Sequence, residues 1–436
     1  MTPRTAKKLA LRLAASGIAA GAIAARHVAM TCGHTNAIGL DMGGTSTDIS
    51  LVHEGELRVT KEWFVEYGYP ICFPSIEVLT IGAGGGSLAW IDEAGSLRNG
   101  PQSAGAEPGP ACYGRGGAEP TNTDANVVLG RLGTTLVGQM PLDPATAAEA
   151  IRAHVAAPLG LGLEEAASAV IQVANANMAD AVRLISIRRG YDPREFALVV
   201  FGGAGPLHGA ALARELSIPT VLVPPSPGIT SALGCLLVDV RHDLAEMYLR
   251  RAEDADPAEV EAEFKRLESE ARERLRHEGV PEARMSLERR LAMRYLGQWR
   301  SLSVSVDRPL ASLDAAVARF HAEHEREYAY RRDATPVEIY QLQLTAVGVT
   351  PKPQFARHAI DGASAPEPFS ARPVYFEESG GFVETPIYVR DHLPAGTRMT
   401  GPAVVDQLDS TTLVPPGVSA EVDEWLNIRM HVGENS

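Results

Sequence analysis

The sequence predicts an α/β fold with a smaller β-rich C-terminal domain, and three observations carry that prediction. Ala197–Phe201 (ALVVF) is a short, continuously apolar run of the kind that forms a strand buried on both faces. It leads into GGAGP, a helix through Leu216, and a second buried strand, Thr220–Val223, which together make an α/β unit. Residues 36–52 read as a hairpin, NAIGL and ISLV flanking the turn DMGGTSTD, while 372–432 reads as short strands separated by Pro-Gly, Gly-Gly and Asp turns.

Taken in order, the Ala-rich run at 13–25 is expected to be an internal helix of a globular domain. Ser16, Gly17 and Gly21 interrupt it, and it falls short of the roughly 20 apolar residues a membrane span needs. After the hairpin, 59–66 continues an antiparallel meander. The Gly/Pro/Ala tract 80–117 then reads as a long ordered site loop with little regular structure. A helix is expected from 124 to 132. The clearest helix is 163–189, where Ala167, Ile171, Ala174, Met178, Ala181 and Ile185 recur at spacings of three and four, and Gly190 suits a left-handed cap. The charge-dense stretch 252–290 reads as a solvated two-helix excursion, and 351–368 as a linker. These readings divide the chain into a domain over 1–305 and a β-rich domain over 306–436.

Composition excludes some classes. The 436 residues are 45% hydrophobic and 22% charged, as in an ordinary globular protein, and the formal net charge is -14. A nucleic-acid binder would carry a basic stripe, and none occurs beyond the extreme N-terminus. Neither nucleic acid nor a membrane is therefore an expected partner. Cys32, Cys72, Cys112 and Cys235 are widely spread without a CxxC pair, which points to reduced thiols and a cytoplasmic protein.

Two glycine turns carry the candidate chemistry. In Asp41-Met42-Gly43-Gly44-Thr45-Ser46-Thr47-Asp48, Gly43 and Gly44 are expected to supply positive φ and to let backbone N–H groups approach an anion, forming a nest for phosphate oxygens. Thr45, Ser46 and Thr47 add hydroxyl donors. Asp41 and Asp48 are the candidate catalytic carboxylates, with Asp41 placed to hold Mg²⁺ through water. The same residues also suit a plain hairpin turn. In Gly202-Gly203-Ala204-Gly205-Pro206, glycines precede a helix start whose free amides can cradle a nucleotide, or simply make a tight turn. Within 80–117, Gly82, Gly84, Gly85 and Gly86 allow the backbone close to a ligand or another chain. Cys112, Tyr113 and Arg115 are its reactive-looking members, although a lone Cys is more often structural. His208, just inside the helix, is either a ligand or acid/base group or a hydrogen-bonded structural residue.

Read together, DMGGTSTDISLV, TIGAGGGSLAWID, GPQSAGAEPGPACYGRGG, TDANVVLGRLG, RGYDPREFALVVFGGAGPLHG and VPPSPGITSALG occur in one order that resembles the hydantoinase A/5-oxoprolinase family over 16–243. RYLGQWRSLSV, EHEREYAYR and GPAVVDQLDSTTLVPPG resemble that family's C-terminal region. The resemblance implies an actin-like ATPase lobe of the ribonuclease H, hexokinase and Hsp70 type, binding ATP and Mg²⁺. DMGGTSTD would be its second phosphate turn and FGGAGPLH its adenosine-side turn. It implies opening of a small cyclic amide, a hydantoin or 5-oxoproline, through a phosphorylated amide oxygen and with a hydantoinase B-type subunit. Family members carry a further D-x-GGT turn in a preceding lobe, whereas this sequence holds one such turn. That implies half of an ATP site, with the other lobe coming from a separate polypeptide, or else a fragment with a mis-assigned start or a degenerate paralogue. A non-catalytic interaction subunit and a ketone carboxylase subunit are the alternative functions.

Overall fold

The computed structural model describes residues 6–7, 10–13, 16–60, 63–64, 70–71, 75–136, 138, 140–360 and 367–433. It separates into two compact units: Met1–Ala14 with Val238–Lys352, and Ala15–Leu237 with Pro353–Ser436. The stretch 306–436 is thus shared between them.

In the larger unit, helix α1 (Ser16–Thr31) precedes the hairpin of strands β1 (Ala37–Met42) and β2 (Thr47–His53). Strand β3 (Val78–Ile81) lies along β2, and helices α2 (Asn122–Val128) and α3 (Leu163–Ile185) follow. Next come β4 (Ala197–Phe201), α4 (Gly205–Leu216), β5 (Thr220–Val223) and α5 (Thr230–Leu237). Three strands from the end of the chain, β6 (Arg398–Thr400), β7 (Ser419–Val422) and β8 (Ile428–His431), complete a nine-stranded sheet. Its order is β6-β7-β8-β5-β4-β1-β2, with β3 and the short strand Glu56–Leu57 both against β2. Strands β1, β4 and β5 are parallel; β2 and β8 run antiparallel to their neighbours.

Both faces of this sheet are covered, which is why β4 is apolar throughout and buried throughout. Ala25, Val28 and Ala29 of α1 pack on Ala37, Val52, Val199 and Phe201. On the other face Met178 and Val182 of α3 and Leu212 and Leu216 of α4 pack on Ile38, Leu40, Leu198 and Val200. The alanines of α1 have a steric reason: a methyl group at Gly39 would meet the Ala25 side chain at 2.6 Å, so helix and sheet touch almost backbone to backbone. A second sheet, of Ser370–Phe376, Gly381–Val389, Ala403–Asp406 and Thr411–Val414, packs Val374, Phe376 and Val404 onto Leu207 of α4.

The smaller unit is a four-stranded antiparallel sheet, ordered Val240–Arg251, Val337–Gly348, Met285–Tyr295, Leu302–Ser305, with helices Pro257–His277 and Asp314–Tyr328. Phe264, Tyr295, Phe320 and Leu342 lie in its core. The stretch 252–290 therefore holds one long helix and the start of a strand, not two solvated helices. Its charges are partly internal: Arg289, 3% exposed, donates from Nε to Glu268 Oε1 at 2.7 Å and from Nη1 to Glu261 Oε2 at 2.6 Å.

Other readings need adjustment. The tract 80–117 contains a β-hairpin, Ser87–Ile91 with Leu97–Ser103, closed in part by the Trp90 Nε1–H bond to Gly100 O. Of the strand expected at 59–66, Val59–Thr60 pairs with Ser75–Ile76 and Trp63–Phe64 with Pro70–Ile71, while 61–62 and 65–66 lie outside the described residues. The helix expected at 163–189 ends at Ile185, continues as a 3₁₀ turn, Ile187–Arg189, and stops at Gly190 with φ 83°. Cys32, Cys112 and Cys235 are free thiols, and Cys72 lies outside the described residues. No helix of the described residues is long and apolar enough to cross a membrane.

Candidate functional site

Because β1 and β4 are parallel neighbours in register, with Asp41 beside Phe201, the two glycine turns leave the sheet side by side at its carboxyl edge. Ligands of open α/β sheets sit at that edge. The turns interlock: Ala204 N–H donates to Met42 O at 3.0 Å, and a side chain at Gly202 would collide with the β1 backbone. Pro206 opens α4 as expected.

The first turn differs from its sequence reading in its backbone. Neither Gly43 nor Gly44 has a positive φ. The four residues between Met42 and Thr47 close the hairpin with a Gly43 N–H bond to Ser46 O, so left-handed backbone is not needed. Protein packing does not require these glycines either. A methyl group at Gly44 would meet nothing within 4 Å, and at Gly43 only Ser46 O at 4.0 Å. Gly44 and Thr45 face solvent.

The tract 82–86 is what packs on this turn from behind. Gly85 N–H donates to Gly43 O at 2.9 Å and Gly86 N–H to Gly44 O at 2.6 Å, and any side chain at Gly84 would lie 2.6 Å from Thr45 N. Helix α2 holds the tract in turn, through Asn122 Nδ2 to Gly84 O and Thr123 N–H to Gly85 O, both at 2.8 Å. The close approach anticipated for Gly84–Gly86 is thus made to this chain's own turn. Thr47, expected to donate toward a ligand, is fully buried and its hydroxyl is taken by Ala83 O.

Asp41 and Asp48 face each other across the hairpin. Ser231 Oγ of α5 donates to Asp41 Oδ2 at 2.6 Å, and Thr80 Oγ1 of β3 donates to Asp48 Oδ1 at 2.5 Å. Burial pushes the Asp41 carboxyl above the usual range; the Ser231 bond pulls it back and the Asp48 charge raises it. Burial also raises Asp48, against the Thr80 bond. Two partly desolvated carboxylates side by side suit a divalent cation bound by one or two carboxylates plus water. No cluster of three or more His, Cys, Asp or Glu arranged to hold a metal occurs among the described residues.

Beyond the turns opens a cleft of about 470 Å³. Gly43, Gly44, Gly203 and Ala204 line it from the sheet edge, Gly85, Tyr113, Thr123 and Asn126 from one side, and Arg390 and residues 406–411 from the other. Gly202 and Gly205 are buried behind it, and Asp41, Asp48, Thr45 and Ser46 are not in its lining. His208 forms part of its floor, 1% exposed. Cys112 does not take part: burial and the neighbouring Asp124 push its thiol far up, and Asp124 is committed to the Cys112 and Thr121 amides.

The 406–411 wall was missed in the sequence. Asp409 Oδ2 accepts from Gly228 N–H at 2.9 Å, Ser410 Oγ donates to Gly203 O at 3.2 Å, and Gln407 Nε2 donates to Pro225 O at 2.6 Å. The partners are about two hundred positions apart, and no local pattern announces such pairing. The segment DQLDST was legible only as part of the resemblance.

These features define a layered α/β protein with its candidate site at the carboxyl ends of parallel strands. The chain belongs to the hydantoinase/oxoprolinase family: the Hydantoinase/oxoprolinase profile matches residues 1–244 and the Hydantoinase/oxoprolinase C-terminal domain profile matches 250–432. It is 38% identical to the caprolactamase subunit alpha of Pseudomonas jessenii, covering 94% of this chain and 60% of that one. To the acetophenone carboxylase gamma subunit of Aromatoleum aromaticum it is 32% identical, covering 93% and 58%. Its fold is similar to the crystal structure of the ATP-dependent caprolactamase from Pseudomonas jessenii, with TM-score 0.79 and 35% identity over 95% of this chain and 61% of that one. Nucleotide-free acetone carboxylase is similar too, with TM-score 0.83 and 26% identity over the same shares. The chain spans about three-fifths of the length of these relatives.

Proposed function

We propose that this chain is the ATP-binding part of an ATP-dependent cyclic-amide hydrolase, with the Gly43–Gly44 turn as its phosphate cradle. The observation that carries the reading is the unexplained glycine pair. Neither backbone conformation nor packing calls for glycine at 43 or 44, yet both open onto the cleft. What remains is close approach of a ligand's oxygens to backbone N–H groups. The order β3-β2-β1-β4-β5, with β2 alone antiparallel among the central strands, is that of an actin-like lobe and supports the same reading.

ATP with Mg²⁺ supplies the phosphoryl group that activates the amide oxygen. The chain's own residues then have simple tasks. Asp41 and Asp48 would hold the cation, the Gly44 and Gly203 amides would position phosphate oxygens, and the walls of the cleft would exclude water. Identity to the caprolactamase exceeds that to either carboxylase, which favours a cyclic amide over a ketone. A hydantoinase B-type subunit and a second phosphate-binding lobe are the proposed partners.

The test is Gly44→Ala. Stability should stay within about 0.5 kcal/mol of the parent, since the position is open and not left-handed. Mg·ATP affinity, by calorimetry, should fall about tenfold or more. Unchanged affinity in the folded variant would remove the turn from the phosphate site.

A further inference from the structure

We infer that His208 and Asn126 form a paired acceptor subsite in this cleft, which takes hydrogen bonds from an N–H group of the bound ligand. The inference rests on the ligand-binding reading of the cleft given above.

Each residue reaches the cleft with one buried acceptor that has no protein partner. His208 Nδ1 lies 2.7 Å from Asn175 Oδ1 of α3. A carbonyl oxygen can only accept, so Nδ1 carries the hydrogen and Nε2 is left as a bare lone pair. That Nε2 is buried without a partner. Asn126, 2% exposed, donates from Nδ2 to Asn122 O at 3.0 Å, so its Oδ1 is an acceptor, and that atom too is buried without a partner. Both residues line the same cleft, on α4 and α2.

The pair cannot turn itself into a donor. Burial, aided by the Arg131 charge, lowers the His208 pKa to about 3, so the ring stays neutral. Nor does it suit phosphate, because bare acceptors repel anionic oxygens. The same cleft also offers donors, at the Gly44 and Gly203 amides and at the buried Arg390 Nη1, and the acceptor pair complements them. A buried acceptor left unmade is costly, and a ligand N–H is the chemistry that satisfies it. Two ligands of the proposed reaction offer such a group: the ring N–H of a cyclic amide and the amino group of adenine.

The test uses the full chain ¹⁵N-labelled at its histidine rings and glycine amides, titrated with ε-caprolactam, N-methyl-ε-caprolactam, Mg·ATP and the magnesium complex of purine riboside triphosphate. The ring shifts should first report His208 as the Nδ1–H tautomer. Its Nε2 signal should then move with caprolactam and not with the N-methyl compound, which makes the amide the donor. Movement with ATP and not with purine riboside triphosphate, whose base lacks the amino group and carries no N–H at that edge, would make the base the donor. His208→Leu should weaken that ligand about tenfold, while His208→Gln, whose side-chain oxygen replaces the acceptor, retains most of the affinity. An Nε2–H tautomer, no movement with any of the four, or equal movement with both members of a pair overturns the inference. If Mg·ATP shifts the Gly43 and Gly44 amides while His208 stays still throughout, the acceptor pair fails and the phosphate reading stands. If Mg·ATP moves neither turn, the phosphate reading fails by itself.

Discussion

A methyl group at position 202 would come within 2.5 Å of Asp41 Oδ1, and the Gly202 backbone is itself left-handed, with φ 80°. The second turn is therefore built directly against the carboxylate of the first. Gly202→Ala should cost about 2–4 kcal/mol, combining left-handed strain with a clash against β1. Urea unfolding measures it, and a loss below about 0.5 kcal/mol would mean that the turns are not interlocked.

Asp41 links stability to chemistry in the opposite sense. Its folded pKa is raised, so the ionised form is disfavoured in the folded state, and its contribution to stability improves as pH falls through that pKa. Asp41→Asn should leave the thermal midpoint unchanged or raise stability by about 1 kcal/mol at neutral pH. Turnover of a reconstituted complex should collapse. An active Asp41→Asn complex would take Asp41 out of the cation site.

For His208 the sign is reversed. Its folded pKa, about 3, lies far below the value of a free histidine. Its neutral form stabilises the fold at pH 7, and that stability is lost as pH falls below about 6.5 toward the folded value. Near pH 5 the wild-type protein should lose about 1.4 kcal/mol per pH unit more than His208→Gln. Parallel stability–pH curves for the two proteins would contradict the buried neutral ring.

In the smaller unit, Arg289 holds both Glu268 and Glu261. Arg289→Ala should destabilise that unit by about 1–3 kcal/mol, because Glu268 is left with Arg308 alone and Glu261 with Lys265 and the Leu310 N–H. Hydrogen exchange along Met285–Tyr295 would report it, and unchanged protection there would show the network to be dispensable.

Much of the sheet edge could be read from local pattern. The apolar run of β4, the Gly-Gly turn after it and the helix start at Pro206 sit where spacing put them. Periodicity misled where a side chain's partner is remote. Thr47 looks like a turn hydroxyl, but Ala83 claims it; Arg289 looks like surface charge, yet two helix carboxylates enclose it. The wall at 406–411 and the unpartnered acceptors of Asn126 and His208 depend on contacts across the chain, which no short window contains.

Strand β8 pairs with β5 across two hundred residues, Thr220 opposite His431, and carries β7 and β6 with it. During synthesis, β5 is thus translated long before the segment that will cover its flank. For that interval the nascent sheet exposes a row of unsatisfied amides and carbonyls, a template for pairing with neighbouring chains. Demand for chaperone protection in the cell should therefore track the time needed to translate from β5 to β8 rather than the stability of the finished protein.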